Sequence, residues 1–446
     1  MHLIRVETVM ADNIILVTVD SLRADHCAWQ SETNLTPFLE ELAEDSLTYP
    51  AAISPGPRTF SSITTTHTGV PLSVTNQPID NDDDRIKRIA AHLQKNETVA
   101  EQLQKQGYST LAFTANPWTS ADIGFDKGFD EFVEVGRQGG KIHDFFRGTP
   151  AVRAARLFDL WVHNDSWFSQ WQTFYDDIVR TIESTDGPVF TWIFLLDTHN
   201  PYLVPGPERH DSSTYGMYAG LLQGNQLTKT TDGETTILDS IDEKTARRLK
   251  NAYRDCVRSV DSFVKRLVTD VGDETLLVFH SDHGEAFGEH GTYGHQSVLY
   301  EENIHVPLLI HGADENKTVD RPISTVYIPH LISKYAREET IQPMEFSDEY
   351  VFARTLDDSA IAVRGQRWKY IRTHENEELY NLERRREQRD VSAEHPDITS
   401  DLRARSEEFL SEQDVARVSN IDLSENEKMK QHLQSLGYLD GSPSQR

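Results

Sequence analysis

Cysteine is nearly missing from this chain of 446 residues: only Cys27 and Cys256 occur, far apart and outside any spacing typical of Cys and His metal ligands. This scarcity argues against a disulfide framework and predicts a protein of a reducing compartment, so we expect a cytoplasmic location. A chain of this length needs no covalent support, because it can bury a large hydrophobic core in about two domains.

Long apolar runs are missing as well. No stretch approaches the ~18 apolar residues that a membrane-spanning helix needs. Residues 1–11 have neither the apolar segment nor the cleavage site of a signal peptide. Both absences predict a soluble protein without a membrane span.

Lysine is scarce: of the 44 Lys and Arg residues, 30 are Arg and 14 are Lys, and the formal net charge is -28. The acidic residues are spread along the chain, so most surfaces would repel phosphate backbones, and we expect no nucleic-acid partner. A diffuse acidic surface with few lysines is typical of halophilic proteins, in which salt screens the self-repulsion. An anionic substrate would need a locally positive site, which a divalent cation can supply.

Five apolar, β-branched runs have the length of strands, and helix-like stretches lie between them. The predicted strands are 13–19, 108–113, 189–195, 275–279 and 306–310, and the predicted helices are 36–43, 98–106, 167–183 and 243–269. Apolar strands that alternate with helices predict an α/β fold with a parallel sheet covered on both faces.

The pattern changes after about residue 340. Short predicted strands at 350–355, 360–364 and 368–373 precede an Arg- and Glu-rich helix at 398–413, which indicates an antiparallel α+β subdomain. We therefore expect a catalytic domain, 1–340, and a C-terminal subdomain, 341–446. Two loosely patterned stretches, 137–166 and 207–238, are predicted to be insertions, and loops of this length are commonly lids or disordered.

Polar side chains follow three of the predicted strands. Asp20 directly follows the first strand, and His199 follows the third in the segment LLDTHNPY. Asp282 and His283 follow the fourth in the segment SDHG. Carboxylate oxygens and imidazole nitrogens suit Mg, Mn, Ca or Zn. Because the carboxyl ends of parallel strands meet at one edge of a sheet, we expect these side chains to form one site.

Residues 54–69, SPGPRTFSSITTTHTG, carry eight Ser and Thr hydroxyls. A hydroxyl-rich segment beside a cation site and a histidine predicts a hydrolase that works in two steps, with a metal, a nucleophile and a proton donor.

Seven segments, in consecutive order, resemble the sulfatases of the alkaline phosphatase superfamily. They are NIILVTVDSLRADH, TPFLEELAEDSLTYPAAISP, GFDKGFDEF, DTHNPY, SDHGEAFGEHGTYGH, LYEENIHVPLLIHG and RWKYIRTHENEELYNLERRREQRDVSAEHPD. The resemblance implies an α/β, alkaline phosphatase-like sandwich with a mostly parallel central sheet and a small C-terminal antiparallel-sheet subdomain. It also implies one divalent cation (Ca, Mg or Mn), a small anionic ester as substrate, and a nucleophile at a helix N-terminus, which favours anions.

The family's nucleophile loop reads Cys or Ser, x, Pro, x, Arg and ends in Thr-Gly, with the glycine ten residues after the nucleophile. Thr68 and Gly69 set this register here, which places Thr59 at the nucleophile position. Ser54 is the rival, because Ser54 to Arg58 mimics a Ser-x-x-x-Arg spacing. It lies five residues too early, before a Pro-Gly-Pro segment that cannot begin a regular helix.

The chain departs from the family pattern in three places. Thr59 cannot be converted to the formylglycine of typical sulfatases, whereas superfamily relatives with Thr at this position act on phosphate esters. The paired Asp-Asp of calcium sulfatases is Asp20-Ser21 here, and Ala115-Asn116 replaces the Gly-Lys-x-His segment of arylsulfatases. We therefore expect no formylglycine, and an ester of sulfate, phosphate or phosphonate as substrate.

The resemblance implies a role for each site residue. Asp20, Asp282 and His283 would hold the cation, which would also contact Thr59 and lower its hydroxyl pKa. His199 and His295 would bind the substrate's oxyanion or protonate the leaving group; His295 stands where many members carry Lys. Two alternatives remain open: a phosphoryl or phosphoethanolamine-type transferase that passes the group to an acceptor alcohol, and a non-catalytic binding protein with a sulfatase-like fold.

Overall fold

The computed structural model describes residues 13–30, 34–73, 79, 82–135, 170–204, 206–217, 219, 241–272, 275–385 and 387–413. The predicted insertion 137–166 lies outside these residues, as do most of the insertion 207–238 and residues 414–446 of the expected C-terminal subdomain. Among the described residues, none of the helices combines the length and apolar character that crossing a membrane requires.

The strands and helices alternate along the first part of the chain. The strands are β1 (Ile14–Val19), β2 (Ser46–Thr48), β3 (Ala52–Ile53), β4 (Ser109–Thr114), β5 (Glu131–Glu134), β6 (Val189–Leu195), β7 (Leu276–Ser281), β8 (Ala286–Phe287), β9 (Tyr293–Gly294), β10 (Leu308–His311), β11 (Lys317–Thr318), β12 (Ile323–Ser324), β13 (Tyr350–Arg354), β14 (Ala360–Gly365), β15 (Trp368–Thr373) and β16 (Glu377–Asn381). The helices are α1 (Pro37–Glu44), α2 (Thr59–Thr68), α3 (Asp82–Lys95), α4 (Val99–Lys105), α5 (Tyr175–Ser184), α6 (Glu243–Val271), α7 (Glu301–Ile304), α8 (Ile328–Ala336), α9 (Leu382–Arg385) and α10 (Pro396–Glu412).

The central sheet has eight strands in the order β11-β2-β10-β7-β1-β6-β4-β5. β1 pairs in parallel with β6 on one side and with β7 on the other. β10 alone in this sheet runs against its neighbours, β2 and β7. The prediction of a mostly parallel α/β sheet is therefore confirmed.

The direction of β10 differs from the expectation for residues 306–310. Between β7 and β10 the chain forms the short β8–β9 pair, a 3-10 turn at Glu289–Gly291 and the four-residue α7. A parallel connection needs a crossover of a dozen or more residues, usually a helix, that returns the chain to the opposite end of the sheet. No long helix does so here, so β10 starts near the end where β7 finishes and runs antiparallel to it.

Hydrophobic side chains on the two faces of the central sheet belong to separate cores. Along β1, Ile14 and Leu16 pack into one core with α2, α3, α4 and α8, while Ile15, Val17 and Val19 pack into the other with α1, α5 and α6. Successive side chains of a strand point to opposite faces, so a strand that is apolar throughout must be covered on both sides. This sandwich leaves the ends of the strands as the places where polar groups can meet.

The C-terminal residues form an antiparallel meander of four strands, β13-β14-β15-β16. Helix α10 covers one face, where Leu402 packs with Val363, Tyr370 and Leu379. The small antiparallel sheet with a following helix agrees with the predicted fold class. β16 was not predicted, because its sequence EELYN carries three polar residues in five positions.

The predicted helix 167–183 differs in its start. Residues 167–169 lie outside the described residues, Trp171–Thr173 form a single 3-10 turn, and α5 begins only at Tyr175. The helical spacing of apolar residues continues through both pieces, so periodicity alone does not reveal the break between them.

Candidate active site

Four neighbouring strands bring three predicted site residues, and Asn116 in addition, to one edge of the central sheet. β7, β1, β6 and β4 lie side by side in that order. Asp282 directly follows β7, and Asp20 directly follows β1. His199 and Asn116 lie a few residues beyond the ends of β6 and β4. Because these strands are parallel, their carboxyl ends fall on the same side, and segments far apart in sequence meet there.

Asp20, Asp282 and His283 form a compact buried cluster. All three are 0% exposed, and their ligand atoms lie within 4.8 Å of one another. Nε2 of His283 lies 3.4 Å from Oδ2 of Asp282 and 3.7 Å from Oδ1 of Asp20. Two carboxylate oxygens and one imidazole nitrogen thus converge on a single point of the sheet edge.

A tight turn after β1 holds the two carboxylates in place. Ser21 has a φ of 62°, in the left-handed region that a serine rarely adopts. Its amide donates to Oδ1 of Asp282 over 3.1 Å, and its hydroxyl donates to Oδ1 of Asp20 over 2.8 Å. The hydroxyl of Tyr253 donates to the Ser21 carbonyl over 2.8 Å. These bonds stabilise a backbone conformation that costs roughly 1–3 kcal/mol.

The cluster fits a divalent cation on two observations. Oδ2 of Asp282 is buried and has no hydrogen-bond partner among the residues that the structure describes. Nδ1 of His283 donates to the Gly284 carbonyl over 2.9 Å, so the lone pair on Nε2 is directed to the cluster. A carboxylate oxygen without a partner and a histidine held in the ligating tautomer are typical of a cation site.

The electrostatics of the cluster agree with this interpretation. Burial, together with the neighbouring charge of Asp20, raises the pKa of Asp282 well above its usual range. Burial lowers the pKa of His283 to about 3, which keeps its imidazole neutral at ordinary pH. Two buried carboxylates without a counterion repel each other, and a bound divalent cation would remove that repulsion.

Thr59 is the first residue of helix α2, and its side chain faces the cluster. The residue is 5% exposed. Its hydroxyl lies 3.3 Å from Nε2 of His283, to which it donates. Helix α2 ends at Gly69, whose φ of 67° suits a glycine and whose amide donates to the Thr65 carbonyl. Thr59 thus lies at the N-terminus of α2, where the helix dipole favours a negative charge.

Most of the other hydroxyls of α2 bond within the helix itself. All ten residues of α2 are buried. The hydroxyls of Thr64, Thr66 and Thr68 each donate to the carbonyl four residues earlier, which is how a buried helix accommodates threonine. Ser54 lies outside the helix, and its hydroxyl donates to the Gly56 carbonyl over 2.6 Å within the preceding turn. Thr59 differs from them because its hydroxyl bonds across the site.

Asn116 links the nucleophile candidate to the carboxylate cluster. Its Nδ2 donates to Oδ2 of Asp20 over 2.5 Å and to Oγ1 of Thr59 over 3.4 Å. Its Oδ1 accepts from the Trp118 amide over 2.8 Å, which fixes the orientation of the side-chain amide. In the sequence Asn116 marks a departure from the arylsulfatase pattern and was not predicted as a site residue; the one available signal was the strand end two residues earlier.

His199 and His295 lie next to each other at the rim of the site. Their ring centroids are 5.0 Å apart, and the ring of His295 lies 4.7 Å from that of His283. Burial lowers the pKa of His295 to about 3, although 26% of its side chain is exposed. Sequence reasoning did not identify Glu285, whose Oε2 lies 3.4 Å from Nδ1 of His295. Burial raises the pKa of Glu285 to about 7.

A second group of potential ligands consists of His290, Glu302 and Glu387. These three residues join separate chain segments by hydrogen bonds. Nδ1 of His290 pairs with Oε1 of Glu302 over 2.7 Å, and Nε2 donates to the Glu387 carbonyl over 2.7 Å. Both ring nitrogens are therefore engaged, which leaves no lone pair for a metal ion.

The fold is that of alkaline phosphatase-like proteins: an α/β sheet, here with a buried group of carboxyl and histidine side chains at one edge. The family model for sulfatases matches residues 12–337, most of the chain, and the chain belongs to the sulfatase family. The predicted membership in this family of ester hydrolases is confirmed.

Solved structures similar to this chain share its fold. The phosphonate monoester hydrolase of Agrobacterium radiobacter has a TM-score of 0.63 at 17% identity, over 90% of this chain and 95% of that one. The phosphonate monoester hydrolase from Silicibacter pomeroyi has a TM-score of 0.62 at 17% identity, over 93% and 97%. A 2-O GAG sulfatase has a TM-score of 0.61 at 15% identity, over 90% and 92%.

Among curated proteins, one similar relative is the multifunctional alkaline phosphatase superfamily protein PehA of Trinickia caryophylli. It is 31% identical over 84 residues, which make up 18% of this chain and only 16% of that protein.

Proposed function

We propose that this chain is a metal-dependent hydrolase that transfers the acidic group of a phosphate or phosphonate ester to Thr59 and then to water. The observation that carries the proposal is the position of the Thr59 hydroxyl, 3.3 Å from Nε2 of His283 at the start of a helix and beside the Asp20–Asp282 pair. Neighbours in the fold include hydrolases of phosphonate monoesters, which supports this substrate class.

The site residues have different roles in the first step. Asp20, Asp282 and His283 would hold a divalent cation, which when bound favours the deprotonated Thr59 hydroxyl and attracts the anionic ester. Thr59 Oγ1 then attacks phosphorus in line, the bond to Thr59 forms, and the bond to the leaving oxygen breaks. The proton that the Thr59 hydroxyl loses passes through His295 or His199 to that oxygen, which departs as an alcohol.

The second step restores the nucleophile. A water molecule attacks the phosphorus of the phosphothreonine, the Thr59 oxygen leaves, and phosphate or phosphonate is released. The same histidine accepts a proton from this water and passes it to the Thr59 oxygen, which becomes a hydroxyl again. The amide of Asn116, fixed by Trp118, holds the Thr59 oxygen in place through both steps.

Threonine at the nucleophile position favours phosphorus over sulfur. A formylglycine hydrate can expel sulfate because its second hydroxyl forms a carbonyl as the sulfate leaves. Thr59 has no second hydroxyl on its Cβ, so a group attached to it leaves only when water attacks the group itself. We therefore expect phosphate or phosphonate esters to be cleaved faster than matched sulfate esters.

The experiment compares esters that share one leaving group. The purified chain is stripped of metal with a chelator, reloaded with Mn, Mg or Ca, and assayed on 4-nitrophenyl phosphate, 4-nitrophenyl phenylphosphonate and 4-nitrophenyl sulfate in high salt. We expect turnover only with added cation, and a preference for the phosphorus esters. A preference for the sulfate ester would refute the substrate class.

Two variants locate the nucleophile in the same assay. Thr59→Ala removes the attacking oxygen, and we expect turnover to fall by at least about 10³-fold. Ser54→Ala removes only a hydroxyl that bonds within its turn, so it serves as the control and should retain turnover within a few-fold. Loss of activity in the Ser54 variant alone would overturn the assignment.

Addition of an acceptor alcohol to the same assay tests whether the chain transfers the phosphoryl group to an alcohol and not to water. Transfer would appear as a phosphorylated alcohol.

A further inference from the structure

A cavity of about 280 Å³ lies beside helix α2, on the side turned away from the candidate active site. Ser61 and Thr65, about one helical turn apart, line it from α2. Thr59 precedes Ser61 by two residues, which correspond to about 200° around a helix. Its hydroxyl accordingly points the other way, to His283. We call this space the rear cavity.

The greater part of the wall of the rear cavity is apolar. Leu72 follows α2, Val351 and Phe352 belong to β13, and Phe409 belongs to α10. The rings of Phe352 and Phe409 stack at a centroid distance of 4.3 Å. Val70, two residues before Leu72, is 40% exposed. Covering apolar surface of this kind with apolar side chains is favourable, and such patches commonly mark contact sites.

The exposed charges that line the rear cavity are acidic. Asp348 and Glu412 belong to the lining, and both residues are exposed. Arg354, a basic residue of the lining, is buried and pairs with Asp358. An occupant that carries apolar side chains with positive charges beside them would therefore match both the walls and the rim.

The described part of the chain ends beside this cavity. Gln413, the last described residue, follows α10 and lines the cavity together with Glu412. Residues 414–446 continue from that point. A tether attached at the rim gives the residues that follow a local concentration in roughly the mM range. A weak contact is therefore enough to keep a nearby segment in the cavity.

One stretch of these following residues has a matching composition. Residues 428–439 read KMKQHLQSLGYL, with two lysines and no acidic residue, although the chain as a whole is acidic and poor in lysine. Met429, Leu433 and Leu436 are spaced like residues on one face of a helix. We call residues 428–439 the tail segment. It combines apolar side chains with positive charge, as the walls and the rim require.

We propose that the tail segment of the same chain occupies the rear cavity. Met429, Leu433 and Leu436 would pack against the apolar walls, and the two lysines would lie at the acidic rim. The proposal goes beyond the proposed function and does not depend on it, because no ester takes part. Its consequence is that residues far along the chain support the helix that begins at Thr59 from the side opposite the candidate active site.

Photo-crosslinking of the full-length protein tests the location of the tail segment. Tyr438→p-benzoylphenylalanine keeps a large aromatic side chain and leaves the three proposed contact residues unchanged. The irradiated protein is digested, and the joined peptides are identified by mass spectrometry. We expect the crosslinker to join peptides of β13 or of the end of α10. An equal mixture of nitrogen-14 and nitrogen-15 chains shows whether two joined peptides come from one chain.

A matched pair of variants tests the apolar contact. Leu436→Asp places a charge where the wall is apolar, and we expect the yield of these crosslinks to fall at least about 10-fold, as the loss of a buried leucine implies. Ser435→Asp adds the same charge one position earlier and should lower the yield much less. Neither variant changes a residue of the described fold, so the rest of the protein should fold as the parent does.

A charge reversal tests the rim. Glu412→Lys replaces an acidic residue of the rim by a basic one, and we expect the crosslink yield to fall by about 2- to 5-fold, the size of an exposed ion pair. Adding Lys430→Glu to this variant should restore part of the yield. A yield that neither change affects would refute the placement of the lysines at the rim.

The outcomes of the crosslinking separate the possible occupants. Crosslinks to the rear cavity that join two chains would assign it to a second copy and overturn the proposal. Absence of crosslinks to the cavity, as expected if another ligand fills it, would overturn the proposal as well. So would equal yields in Leu436→Asp and Ser435→Asp. Ester turnover plays no part in these measurements, so the proposed function can fail while this proposal holds.

Discussion

Thr59 owes its special position to groups that fix it from outside its own helix. His283 accepts from its hydroxyl, and the amide of Asn116 reaches both this hydroxyl and Asp20. The position of Thr59 at the start of α2 was predictable, because Gly69 sets the register of this segment. The positions of Asn116 and Glu285 were not, since an amide and a carboxyl group carry no signature until the fold places them beside Thr59 and a histidine.

Asn116→Ala removes the hydrogen bonds from the side-chain amide to Thr59 and to Asp20. We expect kcat/KM to fall by about 10- to 100-fold, a typical loss for a residue that orients a ligand, and the divalent cation to bind more weakly. Steady-state kinetics and isothermal titration calorimetry with Mn measure the two effects. Asn376→Ala, in an exposed turn of the C-terminal sheet, is the control. Unchanged metal affinity and turnover in Asn116→Ala would remove this residue from the site.

His295→Ala tests the proton donor at the rim. Removing one such electrostatic partner typically costs about 10²–10³ in rate, and we expect that loss in kcat without a change in the far-ultraviolet circular dichroism or the melting temperature. His374→Ala replaces an exposed histidine and should leave turnover unchanged. Full activity of His295→Ala would show that another group, such as His199, protonates the leaving oxygen.

The secondary-structure elements explain why most of the fold was predictable. β1, β6 and β7 are apolar throughout because both faces of the sheet are covered, and that pattern is visible in the sequence. The direction of β10 was not visible, because it depends on the absence of a long crossover before it. The break before α5 was missed for a similar reason, since apolar spacing continues across it.

A capping box begins helix α4. This helix precedes the strand that ends near Asn116. Thr98 accepts from the Glu101 amide over 3.2 Å, and Glu101 accepts in return from the Thr98 amide over 2.9 Å. We expect Thr98→Ala to lower the free energy of unfolding by about 1 kcal/mol and to leave turnover unchanged. Urea unfolding measures the difference. Thr269→Ala, an exposed position in α6, should cost less; an equal cost would contradict the role of the cap.

Buried charges link the four-stranded C-terminal sheet to the segment 287–301 that follows the carboxylate cluster. Lys369 of β15 pairs with Glu301 and Glu387, and His290 contacts the Glu387 carbonyl. The division into domains 1–340 and 341–446, the cytoplasmic location and the halophilic origin stay predictions.

His290 should make the stability of the protein depend on pH. Burial disfavours its charge, but bonds to Glu302 and Glu387 outweigh burial and raise its pKa to about 9. A raised pKa stabilises the fold below the ordinary histidine pKa of about 6.5, and this contribution fades as pH rises through about 9. We expect His290→Gln to melt at a lower temperature than the parent at pH 6 and the gap to shrink by pH 9.5. His374→Gln should melt at the same temperature as the parent at both pH values. A difference in melting temperature between His290→Gln and the parent that does not change with pH would contradict the charged pair.

The central claim is that Thr59 carries the transferred group. The most direct measurement is mass spectrometry of the protein quenched in acid during the first turnovers of an aryl phosphate or phosphonate, followed by proteolysis and mapping of the modified residue. The account predicts a phosphoryl or phosphonyl adduct on Thr59 that is lost in Thr59→Ala. An adduct on Ser54 or another residue, during undiminished turnover, would contradict it.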